Sequence, residues 1–157
     1  MAIAQTDQIP DQAIIDSLNT CALGSAGLAA GTTSTLSTAV AFHYKINGQV
    51  YYKAAALNVA PTALAVQANG TTKYYLVCIN AAGTTTLVAP PAARTGDPAT
   101  AGLLLGALPA GFAPIGIAKV VATAAFTWGT TSLGTQATFA NICNYPANGD
   151  PTGFTYA

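Results

Sequence analysis

The chain has 157 residues, of which 6% are charged and 52% are hydrophobic, and its formal net charge is zero. A soluble domain usually carries about 25% charged residues, and a surface near neutrality favours association. Five cations spread over the whole chain form no basic patch, which argues against a nucleic-acid partner. The composition predicts one domain that buries its surface in an oligomer or larger assembly. The alternative is a monomer solvated by hydroxyls and amides.

Cysteines and uncharged stretches indicate neither a metal site nor a membrane span. Cys21, Cys78 and Cys143 are far apart, no CxxC pair exists and the chain has one histidine, so we expect free, buried thiols in a reducing compartment. No Lys or Arg precedes the first apolar stretch, unlike in a secretory signal. The uncharged stretches 20–42 and 98–118 are interrupted by Gly, Ser, Thr or Pro, which argues against a membrane partner.

Residues 1–35 are predicted to form an N-terminal arm. Within residues 10–18, Pro10 and Asp11 suit a first helical turn and an apolar side follows, which predicts a short helix. Glycines then recur among small residues, as in a flexible or extended segment that becomes ordered on a partner. A frayed terminus is the alternative. The candidate contact residues of the arm are Ile9, Ile14, Ile15, Leu18, Leu23 and Leu28.

The pattern becomes typical of β-strands from Leu36 onwards. Residues 39–46 alternate, and Asn47-Gly48 separates them from residues 49–53. An Asn-Gly pair between such runs is the strongest short hairpin signal, because a type I′ turn needs positive φ at both central residues. The resulting register pairs Tyr44 with Tyr51 and His43 with Tyr52.

Two more hairpins are predicted in the same way. Residues 62–68 lead through Asn69-Gly70 into residues 71–79, and residues 80–83 form a turn into residues 84–88. Residues 36–89 are therefore predicted to form a meander of about five antiparallel strands.

Further strands are predicted at residues 115–121 and 137–142, with Phe126 and Trp128 continuing the first or starting its partner. The predicted fold is mainly β, an antiparallel sandwich or barrel of about eight strands. Its parts are the arm with its short helix (1–35), a β domain (36–145) and a turn-rich C-terminal tail (146–157).

Catalytic groups are sparse in the sequence. His43 is the only histidine, no Asp lies within 25 residues of it, and Glu is absent. Its expected role is packing against tyrosine on a strand face. The five scattered Asp residues match neither paired-carboxylate chemistry nor a calcium loop. We therefore predict no enzymatic activity, no catalytic residues, no metal site and no cofactor.

The tyrosines are the candidate contact residues of the β domain. Alternation places neighbouring Tyr51 and Tyr52 on opposite faces, and likewise Tyr74 and Tyr75. One ring of each pair is expected in the core and the other at the surface or in a subunit contact, where amphipathic rings perform well. Tyr51 and Tyr74 are the candidates, and stacking on a sugar is the alternative use.

Three stretches resemble bacteriophage virion proteins. Residues 74–88 read Tyr-Tyr-Leu-Val-Cys-Ile-Asn-Ala-Ala-Gly-Thr-Thr-Thr-Leu-Val, residues 109–116 fit Pro-x-Gly-x-x-Pro-Ile-Gly, and residues 126–131 fit Phe-Thr-x-Gly-Thr-Thr. The pattern, which covers roughly residues 50–135, is similar to head decoration (cement) proteins and to neck or tail fibre subunits. The resemblance implies a β-sandwich or barrel, commonly a homotrimer, with no catalytic residues to carry over.

The predicted function is that of a capsid decoration subunit. It would stabilise the head lattice through protein–protein contacts, as a homotrimer bound to the major capsid protein or another virion protein. Its place would be the virion, assembled in the host cytoplasm. The alternative is a phage tail, neck or head fibre subunit that binds a receptor or glycan.

Overall fold

A computed structural model describes residues 20–91, 94–95 and 105–143, with the backbone alone for 94–95. The described residues are mainly β and contain no helix. The coarse prediction of an antiparallel, sandwich-like β fold is confirmed. The predicted helix in residues 10–18 and the tail 146–157 lie outside the described residues. So do the contact candidates Ile9, Ile14, Ile15 and Leu18.

Eleven strands are present in the described part, against the eight or so predicted. They are β1 (Cys21–Ala22), β2 (Leu28–Ala30), β3 (Leu36–Thr38), β4 (Phe42–Ile46), β5 (Gln49–Lys53), β6 (Ala56–Val59), β7 (Thr71–Asn80), β8 (Thr85–Val88), β9 (Arg94–Thr95), β10 (Phe112–Val121) and β11 (Ala137–Asn141).

The strands form three antiparallel sheets. Two are three-stranded, in the orders β1-β4-β5 and β2-β3-β6. The third has the order β11-β10-β7-β8, and β9 pairs with the start of β7. Within the described residues no sheet closes into a barrel. The sheet β1-β4-β5 is called the hairpin sheet below.

Two of the predicted hairpins are confirmed. β4 and β5 pair in the predicted register, with Tyr44 opposite Tyr51 and His43 opposite Tyr52. Asn47 and Gly48 both have positive φ, 48° and 82°, as a type I′ turn requires. The turn at residues 80–83 joins β7 to β8 and has Gly83 at φ 77°.

The hairpin predicted around Asn69-Gly70 is wrong. Gly70 does have positive φ, but of the preceding segment only Gln67 pairs, in an isolated bridge with Phe126. β7 pairs instead with β10 on one side and with β8 and β9 on the other. Residues 36–89 therefore do not form a simple meander, because one edge of the ten-residue β7 pairs with β10 instead of with the segment that precedes β7.

The described part of the predicted arm belongs to the β body. β1 pairs with β4, and β2 pairs with β3. Thr33 O accepts a hydrogen bond of 2.8 Å from Leu133 N, and Ser34 Oγ donates one of 3.0 Å to Gly129 O. The expectation of a flexible arm is therefore wrong for residues 20–35. Backbone groups of this segment form hydrogen bonds with other parts of the chain.

The main core is shared by all three sheets. Its largest fully buried side chains are Trp128, Tyr44, Tyr75 and Phe126. The indole ring of Trp128 meets the edges or faces of Tyr75 and Phe126 at centroid distances of 5.2 and 5.3 Å, in nearly perpendicular orientations. Aromatic rings prefer this geometry, which contributes beyond the buried area alone.

The five-stranded sheet is covered on both faces along β7. Tyr75 faces the main core, whereas Tyr74 belongs to a second cluster with Leu76, Cys78 and Ile117 on the opposite face. The prediction that the two tyrosines point to opposite faces is confirmed. The expectation that one of them lies at the surface is wrong, because Tyr74 is 6% and Tyr75 is 1% exposed.

None of the three cysteines forms a disulfide, and their environments differ. Cys78 is buried in the second cluster, Cys21 is half-buried and Cys143 is exposed. The expectation of buried thiols holds for Cys78 and is wrong for Cys143. Burial raises the pKa of the Cys78 thiol to about 12 and also raises the pKa of the Tyr75 phenol.

These raised pKa values predict a loss of stability in alkali. Both groups are neutral when protonated, so the unfolded chain releases their protons at lower pH than the folded chain. The free energy of unfolding should be level up to about pH 9 and then fall towards pH 12, by at most about 1.4 kcal/mol per pH unit for each such group. Urea titrations at fixed pH values measure this slope. Cys78→Ala should flatten the slope between about pH 9 and 10, before tyrosines titrate, and an unchanged slope would contradict the assignment.

Candidate interaction surface

The hairpin sheet presents its outer face to solvent. Phe42, Tyr44 and Ile46 of β4 point into the core and are at most 5% exposed. His43 and Lys45 alternate with them and therefore point outward. The face that results is called the outer face.

The outer face is a small grid of six side chains fixed by strand register. Lys45 pairs with Cys21 on one side and Val50 on the other. His43 pairs with Tyr52, and Leu23 N donates a hydrogen bond of 2.9 Å to His43 O. Because paired residues share a face, the six side chains lie together in two rows of three. Those rows are Cys21–Lys45–Val50 and Leu23–His43–Tyr52.

Apolar and aromatic groups dominate the outer face. Val50 is 54% and Tyr52 is 60% exposed, which is high for such large hydrophobic side chains. His43 and Tyr52 have ring centroids 5.1 Å apart, with a tilt of 51°. The predicted packing of His43 against tyrosine on a strand face is confirmed. An exposed apolar cluster of this kind marks a place where a partner can dock.

A shallow groove of about 420 Å³ lies on this side of the hairpin sheet. Gly24 contributes no side chain to it, and a Cβ placed there would only reach Phe42 Cβ at 3.7 Å, which is ordinary contact. The groove thus has room for an apolar side chain from another molecule. Its lining residues are Leu23, Gly24, Ala41, Phe42, His43 and Val50.

Two hydrogen bonds attach the hairpin to the turn between β7 and β8. Tyr44 OH donates to Asn80 O at 2.8 Å, and Lys53 Nζ donates to Gly83 O at 2.8 Å. The Tyr44 ring stacks on Tyr51 at 5.5 Å with an interplanar angle of 22°. Burial, with a contribution from Tyr51, raises the pKa of Tyr44, so its hydroxyl remains a donor at neutral pH.

Charge is unevenly distributed along the chain. Every Asp lies outside the described residues, at positions 7, 11, 16, 97 and 150. The side chains of all four lysines are described, at positions 45, 53, 73 and 119. The described body is therefore cationic although the whole chain is neutral. Among the described residues, no three His, Cys or Asp side chains form a group suited to a metal ion.

The predicted contact residues have different positions in the fold. Leu28 and Tyr74 are each 6% exposed. The prediction that they are contact residues is therefore corrected, because both side chains pack within the chain and offer little surface to a partner. Leu23 is half-buried on the outer face. Tyr51 is half-buried beside the core, and its hydroxyl donates to Gln49 Oε1 at 2.9 Å.

Sequence reasoning missed the two most exposed apolar residues of the outer face, Val50 and Tyr52. The signal for them was present in the hairpin register. Once Tyr51 faces the core side, alternation places Val50 and Tyr52 on the solvent side. The exposed member of the tyrosine pair is therefore Tyr52 rather than Tyr51.

Comparison with family models, curated proteins and solved structures finds no match to this chain. In the part of the chain that the structure describes, no helix has the length and apolarity needed to cross a membrane. The function must therefore be inferred from the residues of the chain itself.

Proposed function

We propose that the chain is a structural subunit of a virus particle, a capsid decoration (cement) protein that stabilises the head lattice through protein–protein contacts. The observation that supports this most directly is the outer face, where Val50 and Tyr52 are more than half exposed beside an open groove. The resemblance of residues 74–88, 109–116 and 126–131 to phage virion proteins points in the same direction.

The mechanism is burial of a nearly uncharged surface. Lys45 is the only side chain of the outer face with a fixed positive charge, so covering this face desolvates little charge. Tyr52 supplies a large ring with a polar tip, the residue type that most often anchors an interface. Binding to an assembled lattice and not to its free parts stabilises the lattice by mass action.

The proposed partner is the major capsid protein or another virion protein, and the proposed oligomer is a homotrimer. A fibre subunit is the second candidate, because the exposed pair of Tyr52 and His43 could also stack on a sugar ring. The two functions differ in copy number, since a decoration protein covers the whole shell and a fibre occurs in few copies at one place.

The proposal predicts that a charge on the outer face weakens shell binding. Tyr52→Glu should weaken binding to purified shells by about 30-fold or more, the effect of losing an interface hot spot of about 2 kcal/mol. The free energy of unfolding should stay nearly the same, because Tyr52 is 60% exposed in the isolated chain. Quantitative mass spectrometry of sedimented particles measures the bound copies.

The matched control is Val66→Glu, a position that is also 60% exposed but lies outside the hairpin sheet. Its occupancy on shells should equal that of the unsubstituted protein. Equal occupancy for Tyr52→Glu would show that the outer face is not the contact. A chain found in few copies at a single vertex or on the tail would contradict the decoration role and support the fibre role.

A further inference from the structure

We propose that the groove of the outer face binds residues 1–19 of a second copy of this chain, so that neighbouring subunits are linked by exchanged N-terminal segments. The inference rests on the proposed function, because it names one of the contacts through which subunits would assemble. Two observations support it. The chemistry of residues 1–19 complements that of the groove, and the chain enters the hairpin sheet at the end opposite the groove.

The chemistry of residues 1–19 is apolar and acidic. The segment contains no Lys or Arg and holds three of the five Asp residues of the chain. Such a segment needs a partner surface that is both apolar and cationic. Its branched apolar residues are Ile3, Ile9, Ile14, Ile15 and Leu18, and its acids are Asp7, Asp11 and Asp16.

The outer face has the matching chemistry. Its groove is lined by Leu23, Phe42 and Val50 among others, and Lys45 lies in the row next to it. No carboxylate is present among the described residues, so Lys45 has no acidic partner in that part of the chain. An Asp of an incoming segment would pair with Lys45 while its isoleucines fill the groove.

The point of entry favours a groove on another copy. Asn47 N donates a hydrogen bond of 3.1 Å to Thr20 Oγ1, which places Thr20 beside the turn of the hairpin. β1 then runs away from the turn, past Lys45 and towards His43. Residue 19 is thus joined to the hairpin sheet at the end away from Gly24 and Ala41. The segment of 19 residues therefore starts at the end of the hairpin sheet opposite its own groove, and it would have to reverse direction to reach that groove.

A charge exchange tests the proposal. Lys45→Glu should weaken self-association about tenfold, because an attraction between opposite charges becomes a repulsion. The double variant Asp11→Lys with Asp16→Lys should weaken it to a similar degree. A mixture of the two variants should associate more strongly than either variant alone, because a groove of one variant then meets a segment of opposite charge from the other. Recovery should be partial in a closed trimer, since one of the three contacts still joins two copies of the same variant. Sedimentation velocity of the full chain measures all three.

The mixture separates exchange between copies from binding within one chain. No recovery at all in the mixture, together with recovery when the three substitutions are combined in a single chain, would show that each segment occupies its own groove and would overturn the proposal. Lys73→Glu is the matched control, since Lys73 is likewise half-buried but lies on β7, and it should leave association unchanged. An equal effect of Lys73→Glu would also overturn the proposal, because net charge alone would then explain the loss.

A second variant tests the groove without changing charge. Gly24→Leu fills the groove from its own backbone, where a Cβ meets nothing closer than Phe42 Cβ at 3.7 Å. It should weaken association about tenfold or more, because the leucine side chain occupies the space that an apolar side chain of the incoming segment would fill. Unchanged association would contradict the proposal.

Failure of this inference can be told apart from failure of the proposed function. If Lys45→Glu and Gly24→Leu associate normally while the protein still coats shells, segment exchange is wrong and the decoration role stands. If the unsubstituted protein binds no virion surface, the decoration role is wrong whatever the charge exchange shows.

Discussion

Gly116→Ala should destabilise the protein by about 3 kcal/mol or more, the upper range for overpacking a core. Gly116 lies on β10 between Val77 of β7 and Asn141 of β11, next to an irregularity in the register. A Cβ at this position would overlap the Leu28 side chain and the backbone carbonyl of Ala140. Loss of this size is a large part of the stability of an ordinary domain, about 5–15 kcal/mol. Urea denaturation measures it.

Two further variants identify the cause of the loss. Leu28→Ala combined with Gly116→Ala should recover only part of the stability, because the carbonyl of Ala140 belongs to a paired strand and cannot move aside. Gly24→Ala is the control glycine, where an added Cβ makes only ordinary contact, and it should cost less than about 1 kcal/mol. A Gly116→Ala protein as stable as the Gly24→Ala protein would show that β2 does not cross the sheet so closely.

Gln67→Leu should destabilise the protein by about 3 kcal/mol, because it removes three hydrogen bonds in the core and leaves the buried Tyr75 hydroxyl without its acceptor. Gln67 is 0% exposed. Its Nε2 donates to Thr71 O at 2.9 Å and to Val120 O at 3.1 Å, and its Oε1 accepts from Tyr75 OH at 3.0 Å. The side chain therefore joins three parts of the core. Thermal and urea unfolding measure the effect.

Gln136→Leu is the matched control, because Gln136 is half-exposed and its Oε1 accepts one hydrogen bond, from Thr123 N at 3.1 Å. It should cost no more than about 1 kcal/mol. Adding Tyr75→Phe to Gln67→Leu should recover part of the loss, since the buried hydroxyl without an acceptor is then removed. Equal losses for Gln67→Leu and Gln136→Leu would contradict the network.

Local turn chemistry explains which parts of the fold could be predicted from the sequence. Asn47-Gly48 specifies a two-residue turn, and with it the register of β4 and β5, because both residues readily adopt the positive φ that a type I′ turn requires. Asn69-Gly70 carries the same local signal, yet the segment before it does not pair with β7. That edge of β7 pairs with β10, which lies some forty residues further along the chain. A turn motif specifies the bend and cannot specify a strand pairing that long-range packing decides.

The burial of Tyr74 and Leu28 could not be predicted for a related reason. Alternation shows that Tyr74 and Tyr75 point to opposite faces, but it does not show whether one face or both are covered. Leu28 lies among small residues and glycines, which resemble a linker in sequence. Its contact with Gly116 depends on a close crossing of strands, and a single sequence carries no signal for that contact.

The outer face was within reach of the sequence once the hairpin register was known. His43, Lys45, Val50 and Tyr52 follow from alternation around a correctly predicted turn. The contribution of β1 did not follow, because a two-residue strand has no detectable period. Its addition brings Leu23 beside His43 and creates the groove.

The two bonds from Tyr44 and Lys53 to the turn at residues 80–83 have a thermodynamic consequence for recognition. A hairpin without such ties would have to freeze many rotamers and backbone angles when it met another protein, and the lost disorder would be subtracted from the affinity. Here that ordering has already taken place during folding. The surface is preorganised, so even a contact of small area can be tight.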